Sequence, residues 1–425
     1  MMSPPIYVFE DSQVSRLHPL TYARAACELR VGNKTLLERL QSTLAAAGHS
    51  LSGVFVREGL TAVLRARHPG LAVNPSISTR DGIVLINARL LMIGSDAPWT
   101  VPFADSAGLA QSAIAWIHLG PELAEKLDVS KLQDPRTLEA ILPLVQRVPA
   151  TPAMGTLISR PWDLLDHQKV AIAEDFAALG PANHAQMLPG VHLLRAEHIH
   201  LATGVKVWPG AVLDAEGGPI LVGEGTEIRA NAVITGPVSI GPHCLIRTGA
   251  DIRENCSFGP YSRVGGEVSH SVFLGYASKQ HHGFLGQTIV GEWVNLGAGT
   301  TTSNLKNTYG TVRVPLNGVE ESTGKQFMGS VIADHAKLGI GTYLSTGSVV
   351  GFASHIMVSK PPRFVPSFAW VTEKSVARAE FEKMEEIASI AMNRRGKQFT
   401  PADHDLFILI AGEYALAEEY AWPEQ

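Results

Sequence analysis

From Val222 to Val264 an apolar residue returns at every sixth position: Val222, Ile228, Ile234, Ile240, Ile246, Ile252, Phe258 and Val264. Two places before most of them stands a small or β-branched residue: Thr226, Ala232, Val238, Cys244, Ala250, Cys256 and Ser262. The pattern resumes at Ile332, Leu338, Leu344, Val350 and Ile356, preceded by Ser330, Ala336, Thr342, Ser348 and Ser354. A helix repeats every 3.6 residues and a strand every two, so neither gives a period of six. A three-sided parallel β-solenoid does, with one hexapeptide per face and about 18 residues per coil. Its coils stack at roughly 4.8 Å, with the aliphatic residue pointing inward and the small one near the corner. An accidental Val/Ile pattern in a sandwich is the alternative, and eight consecutive matches weigh against it.

The rest of the 425 residues leaves room for one or two further domains. Residues 6–9 (IYVF), 51–56 (LSGVFV) and 83–86 (IVLI) read as buried strands. A helical pattern starts near Thr35, with Leu36, Leu37, Leu40 and Leu44 on one face. This alternation predicts an α/β layer with a mostly parallel sheet. Ligands of such sheets sit beyond the carboxyl ends of the strands, where Glu10, Asp11 and Asn87 fall. Residues 108–147 read as helical, and a further helix runs from about Pro161 to Leu179. After Lys360-Pro361-Pro362 the six-residue repeat stops. A helix is expected over 372–393, closed by Arg394-Arg395-Gly396, and a last one begins at Thr400-Pro401. The expected organisation is an α/β domain over 1–155, helix and linker over 156–190, the solenoid over 191–360 and a helical segment over 361–425.

A net charge of −5 argues against a nucleic-acid partner but leaves small phosphorylated ligands open. No apolar run reaches the roughly 18 residues of a membrane span. Three dispersed cysteines, Cys27, Cys244 and Cys256, do not make a disulfide framework. A cytoplasmic protein with no membrane partner is expected.

The repeat is interrupted by polar, glycine-rich sequence, KQHHGFLGQTIVGEWVNLGAGTTTSNLKN, from Lys279 to Asn307, in which Glu292 is the one acid. Residues 304–327 are turn-rich and read as a projecting hairpin. The six-residue repeat resembles that of the left-handed β-helix acyltransferases, and the hand is implied by that resemblance. Within it, His281, Gly286, Val290-Gly291, the run Val294-Asn295-Leu296-Gly297-Ala298-Gly299-Thr300 and Asn304 are similar to one group. That group is the acetyltransferase domain of the bifunctional enzymes that make UDP-N-acetylglucosamine. Its motif has a histidine ten residues before a glycine, then VNIGAGT and a nearby asparagine. The resemblance implies acetyl-CoA as cosubstrate, an amino-sugar phosphate as acceptor and a homotrimer. Acetyl transfer to an amine needs a base, oxyanion donors and two substrates held close. His281 suits the base, with His282 one residue out of register. The backbone amides of Gly297, Ala298 and Gly299 suit the oxyanion and the pantetheine arm. Asn295 and Asn304 suit sugar hydroxyls or the amine, and Arg263 and Lys279 the sugar phosphate.

Residues 9–11 (FED), 17–24 (LHPLTYAR), 29–32 (LRVG) and 86–91 (INARLL) resemble the divergent sugar-nucleotidyltransferase domain of a variant subgroup of these proteins. That resemblance implies phosphate contacts from Arg24 and Arg30, and Mg²⁺ held by Asp11 and Asn87. Two departures stand out. The segment FEDSQVSRLHPLT has no glycine for a phosphate loop, and Asn87 replaces the usual metal-binding Asp. Three functions remain open: a bifunctional enzyme, an acetyltransferase with a nucleotide-sugar-binding domain, and a non-catalytic trimeric scaffold.

Overall fold

The computed structural model describes residues 4–94, 99–134 and 138–420. The ends of the expected first and last domains, and residues 135–137 of the expected helical run, lie outside the described residues. Two compact units emerge. The first holds Met1–Leu17, Ala23–Leu29 and Lys34–Arg160; the second holds His18–Tyr22, Arg30–Asn33 and Pro161–Gln425. Parts of the LHPLTYAR and LRVG stretches therefore belong to the second unit, which the contiguous boundary at 155 does not anticipate.

The first unit is a six-stranded mixed sheet. Its strands are β1 (Ile6–Phe9), β2 (Gly53–Phe55), β3 (Ile83–Asn87), β4 (Ser106–Ala110), β5 (Ala113–Leu119) and β6 (Ala150–Pro152), in the order β2-β1-β3-β5-β4-β6. Strand β1 runs parallel to β2 and β3, while β5 is antiparallel to both β3 and β4. Helix α1 (Leu36–Ala46) starts at a capping box in which Thr35 accepts from the Glu38 amide and Glu38 accepts from that of Thr35. Helix α2 (Thr61–Arg67) follows β2. Phe9, Phe55, Leu85 and Ile117 are in the buried core of the unit.

The helical reading of 108–147 is corrected at its start, where β4 and β5 form a hairpin. Gln111 and Ser112 turn it with φ of 50° and 65°, the paired positive values of a two-residue hairpin turn. Lacking Asn-Gly, this turn carries no strong sequence signal, and the alanines around it read as helix formers. Gly108 is required by packing, since a Cβ there would lie 2.1 Å from the Trp116 indole. The helical reading holds further on, in the short turns Pro121–Ala124 and Val129–Gln133 and in helix α3 (Leu138–Val145).

In the second unit α4 (Gln168–Leu179) precedes a three-faced parallel β-solenoid. Its strands run from Ala182–Asn183 to Ala369–Val371, beyond the expected 191–360 at both ends. Two faces have ten and eleven strands and the third has six, continued by a separate pair. Ile220 pairs with Val238, and Val238 with Cys256, at the expected eighteen-residue step. Around the interruption the coils shorten, as Arg263 pairs with Ser278 and Ser278 with Asn295. The aliphatic residues of the repeat form one continuous buried core. Each such side chain is worth about 1.5–3 kcal/mol of burial. The expected hairpin is Arg313–Leu316 against Val319–Ser322, turned at Asn317-Gly318.

One corner of the solenoid carries residues in left-handed conformation without glycine, among them His243, Tyr261, Tyr276, Trp293 and His335. Such backbone costs about 1–2 kcal/mol per residue. Stacking offsets it: successive ring centroids are 4.9, 5.0, 4.2 and 6.2 Å apart up this ladder. Beyond the last coils, Val376–Arg378 pairs antiparallel with Ala369–Val371 and covers that edge. Helix α5 (Phe381–Asn393) begins later than the expected 372, because this strand occupies the preceding residues. Gly396, with φ of 67°, ends the turn after it, and α6 (Pro401–Leu409) opens at a Thr400–Asp403 capping box. The Tyr22 hydroxyl donates to Glu418 at 2.8 Å, and Glu418 also accepts from the Ser367 amide.

Candidate functional site

The interruption forms a corner of the solenoid. After Ser278–Lys279 the chain turns through 281–283 and returns as Phe284–Gly286. A Cβ on Gly283, whose φ is 122°, would lie 2.2 Å from the Thr300 carbonyl oxygen, so only glycine closes this turn. His281 and His282 are both exposed. The His282 carbonyl accepts from the Gly299 amide at 3.2 Å, and His282 Nε2 lies 3.7 Å from the position of a Cβ on Gly299. The structure thus brings the histidine pair against the Gly297-Ala298-Gly299 turn. The Gly297 amide donates to the Leu338 carbonyl at 2.9 Å. Gly297 and Gly299 are therefore corrected as oxyanion donors, since both amides are spent on the corner. Among the described residues the Ala298 N–H has no such bond, while its carbonyl accepts from Gly341.

Lys279 is a clear correction. It is Val264's register partner, so it stands in the interior column that is otherwise aliphatic. It is 2% exposed, and its Nζ donates to the carbonyls of Gly265 (2.9 Å) and His281 (2.8 Å). Burial pushes its ammonium down to about 8. A sugar phosphate does not reach it; Lys279 instead fastens the turn that carries His281. Asn304 is half-buried at the base of the hairpin, its amide donating to Gln287 at 2.5 Å.

Arg263 and Asn295 share the outward column of the eleven-stranded face, in the register Arg263–Ser278–Asn295–Lys337–His355. They line a cleft of about 320 Å³, roofed by α5 and by Arg394 and Arg395. Burial, then the charges of Arg394 and Arg247, lower the pKa of the Arg263 guanidinium. Sequence reasoning missed Arg394, Arg395 and Lys337. The two arginines carry a complete explanation as a helix stop, and Lys337 falls on an ordinary outward position of the repeat.

In the first unit the candidate residues are brought together but consumed. Asp11 accepts from Arg89 Nε (2.8 Å), Arg89 Nη2 (2.6 Å), Asn87 Nδ2 (2.8 Å) and the Gln13 amide (3.1 Å). A carboxylate has about four lone-pair sites, and all are taken. The Asn87 oxygen accepts from the Arg89 amide, and its nitrogen also donates to the Ile114 carbonyl. Arg89 is 1% exposed, and its Nη1 donates to the Ile158 carbonyl. A divalent cation does not fit here: its expected ligands already surround a guanidinium. The metal role of Asp11 and Asn87 is corrected accordingly. Glu10 is bound by Arg57 Nε at 3.0 Å and by the Ala26 amide at 2.9 Å.

Arg24 and Arg30, the expected phosphate contacts, are both buried. Arg24 stands near Glu28. Burial raises the pKa of that carboxyl, but Arg67, His68 and Arg24 outweigh it and hold it below its usual value. Arg30 donates to the Asn33 carbonyl of its own loop. That loop is a strap: the Gly32 amide donates to Gln168, the Asn33 amide to Asp175, and Ser239 Oγ to the Asn33 side chain. Cys27, Cys244 and Cys256 are buried free thiols, the last two pushed up to about 12 chiefly by burial. Among the described residues no cluster suits a metal ion, and no helix is long and apolar enough to cross a membrane.

An α/β unit followed by a parallel β-solenoid with a histidine-glycine corner is the class that fold and site define. Residues 6–182 match the family described as "Sugar nucleotidyl transferase". A bifunctional sugar-1-phosphate nucleotidylyltransferase/acetyltransferase from Sulfurisphaera tokodaii is 31% identical over 90 residues, 21% of this chain and 22% of that protein. The match thus spans about a fifth of the relative's length. A hexapeptide transferase family protein from Anaplasma phagocytophilum is 15% identical over 54% of this chain and 92% of its own, with a TM-score of 0.19. A UDP-N-acetylglucosamine acyltransferase from Campylobacter jejuni is 11% identical over 53% and 96%, with a TM-score of 0.23. The Arabidopsis enzyme of that name is 15% identical over 52% and 77%, with a TM-score of 0.24.

Proposed function

We propose that the chain is an acetyl-CoA-dependent N-acetyltransferase acting on an amino-sugar phosphate in nucleotide-sugar synthesis. In this reading the first unit keeps a sugar-nucleotidyltransferase fold without metal-dependent chemistry. The observation that carries the reading is the seating of the His281–His282 turn against Gly297–Gly299. A base there takes the amine proton as the nitrogen attacks the thioester carbonyl. The Ala298 amide suits the oxyanion, and the thiol leaves with a proton. His281 holds the motif spacing and is the first choice as base. His282 is the second reading, favoured by its Nε2 lying over Gly299.

A trimer fits the same region. Ile340 (81% exposed) and Met357 (56%) are apolar residues on the coils beyond Gly297. Surface of this kind pairs readily with copies of itself. The test is a panel of amino-sugar phosphates with acetyl-CoA, followed by release of free thiol. Silence across the panel, with folded protein, ends this reading.

A further inference from the structure

The corner that carries the histidine pair lacks a rung of the solenoid ladder. On the coils before it, the residue after each strand of the eleven-stranded face donates its amide to the next coil. Trp208 donates to Ile228, Arg229 to Ile246, Arg247 to Val264 and Gly265 to Lys279. The series resumes afterwards with Gly297 to Leu338 and Gly339 to Ile356. At Gln280 it stops. Among the described residues the amides of Gln280, His281 and His282 make no backbone hydrogen bond. The strand before them pairs with the next coil at Ser278 alone. The ladder therefore leaves the histidine turn unfastened.

Lys279 supplies the fastening from its side chain. Its column holds Val207, Ile228, Ile246 and Val264 on the preceding coils and Leu296 and Leu338 on the following ones. An ammonium in such a column is costly unless it is hydrogen-bonded. The stem lies inside and the head reaches the corner, where Nζ bridges the Gly265 carbonyl of the preceding coil (2.9 Å) and the His281 carbonyl (2.8 Å). Gly266 leaves just enough space. A Cβ there would lie 2.9 Å from Lys279 Nζ, 2.7 Å from the His281 carbonyl oxygen and 3.0 Å from His282 Cα. A methionine or leucine at 279 would fill the column equally well and leave both carbonyls without this donor. We propose that Lys279 is a positioning residue for acyl transfer, a buried ammonium that holds the His281–His282 turn where the sheet does not. The proposal rests on the reading that this turn carries the base. Lys279 touches no substrate; it acts through the backbone of His281. Its loss should therefore appear in kcat and not in the binding of acetyl-CoA.

Lys279→Met keeps the apolar stem and removes the donors. With acetyl-CoA and glucosamine 1-phosphate as probes, its kcat should fall roughly ten- to a hundredfold, the scale of effect that about an ångström of misplacement produces. The KM for acetyl-CoA should stay within about twofold of the wild type. Lys279→Arg, which keeps donors at this place, should recover part of the rate. Gly266→Ala should repeat the loss of kcat by wedging Nζ from the turn. Gly249→Ala has the same kind of backbone strain, at φ 65° against 72°, but nothing lies within 4 Å of its Cβ position, so kcat should be unchanged. Histidine NMR of the full chain needs no turnover. His281→Gln and His282→Gln assign the two ring signals, which should move or split in Lys279→Met while those of His184 and His192 stay. Unmoved His281 and His282 signals in Lys279→Met overturn the proposal, and so does an unchanged kcat. Moved signals in a protein that fails the whole acetyl-transfer panel end the earlier reading and leave the fastening of the turn standing.

Discussion

Two regions of this chain gather arginines and treat their charge in opposite ways. Around β1 and β3, Arg57 and Arg89 are sealed against Glu10 and Asp11, and every carboxylate oxygen has its donor. Around the solenoid cleft, Arg263, Arg394 and Arg395 face one another with no carboxylate between them. The first arrangement pairs each cation with a carboxylate, and the second sets like charges side by side. In the first region the Asp11 of FED is bonded to the Asn87 and Arg89 of INAR, and Glu10 to Arg57. The candidate chemistry has to be sought where polar groups remain open, at the cleft and the His281–Gly299 corner beside it.

The largest expected effect tests whether that corner is where the work is done. Replacing the true base by alanine should lower kcat for acetyl transfer by roughly 10²–10⁴-fold. We expect His281→Ala to show this and His282→Ala to cost much less. The reverse result keeps the chemistry and moves the base to the imidazole over Gly299. If neither variant changes kcat, the corner loses its claim, and with it one side of the comparison.

Next in size is the sealed pair. Removing one partner of a buried ion pair costs about 3–5 kcal/mol, because the other is left uncompensated. Arg89→Ala should lower the stability of the protein by that amount in urea unfolding, and Asp11→Ala likewise. An Asp11→Asn/Arg89→Met double variant, with both charges gone, should lose much less. Robust Mg²⁺-dependent pyrophosphate release by the wild type, from a nucleoside triphosphate and a sugar 1-phosphate, would break the comparison outright.

The solenoid was legible because each hexapeptide repeats one local solution, so an inward column of Ile and Val betrays the fold before any contact is known. The interruption was legible too, since polar glycine-rich sequence breaks the six-residue column on either side of it. Hidden features all depend on partners distant in sequence. Lys279 reads as a surface charge until its register with Val264 puts it in the interior column. Asp11 reads as a metal ligand until Arg89 is found around it. Arg394 and Arg395 read as a helix stop until α5 is laid across the column that carries Arg263. The β4–β5 hairpin was missed for a local reason, a Gln-Ser turn that lacks the usual glycine signal.

Lys279 gives the third prediction, which concerns pH. Burial holds its pKa in the folded protein down to about 8, against the ordinary lysine value of 10.5 in the unfolded chain. Below about pH 8 both states carry the proton, and the fold bears the whole cost of the buried charge. Between about 8 and 10.5 the unfolded chain binds more protons, so stability should rise with pH. A shift of this size corresponds to about 3 kcal/mol across the window. Lys337, also near 8, acts in the same direction. Lys279→Met should therefore flatten part of the rise in urea midpoint between pH 7 and pH 10. At pH 7 its net effect should be small, since the lost charge offsets the two carbonyls left unpaired, each worth about 1–3 kcal/mol. A slope unchanged by Lys279→Met would mean the ammonium is solvated and the interior position is wrong.

The smallest effect sharpens the comparison most directly, because each unit has a capping box of its own. Thr35 caps α1 and Thr400 caps α6, each by the same reciprocal pair of bonds. Either threonine replaced by alanine should cost about 1 kcal/mol of stability. The two should part company in where the loss is felt. Thr35→Ala should speed amide hydrogen exchange over Leu36–Ala46, and Thr400→Ala over Pro401–Leu409. Loss of protection spread evenly over the chain in either variant would show that each cap acts on global unfolding and not on its own helix.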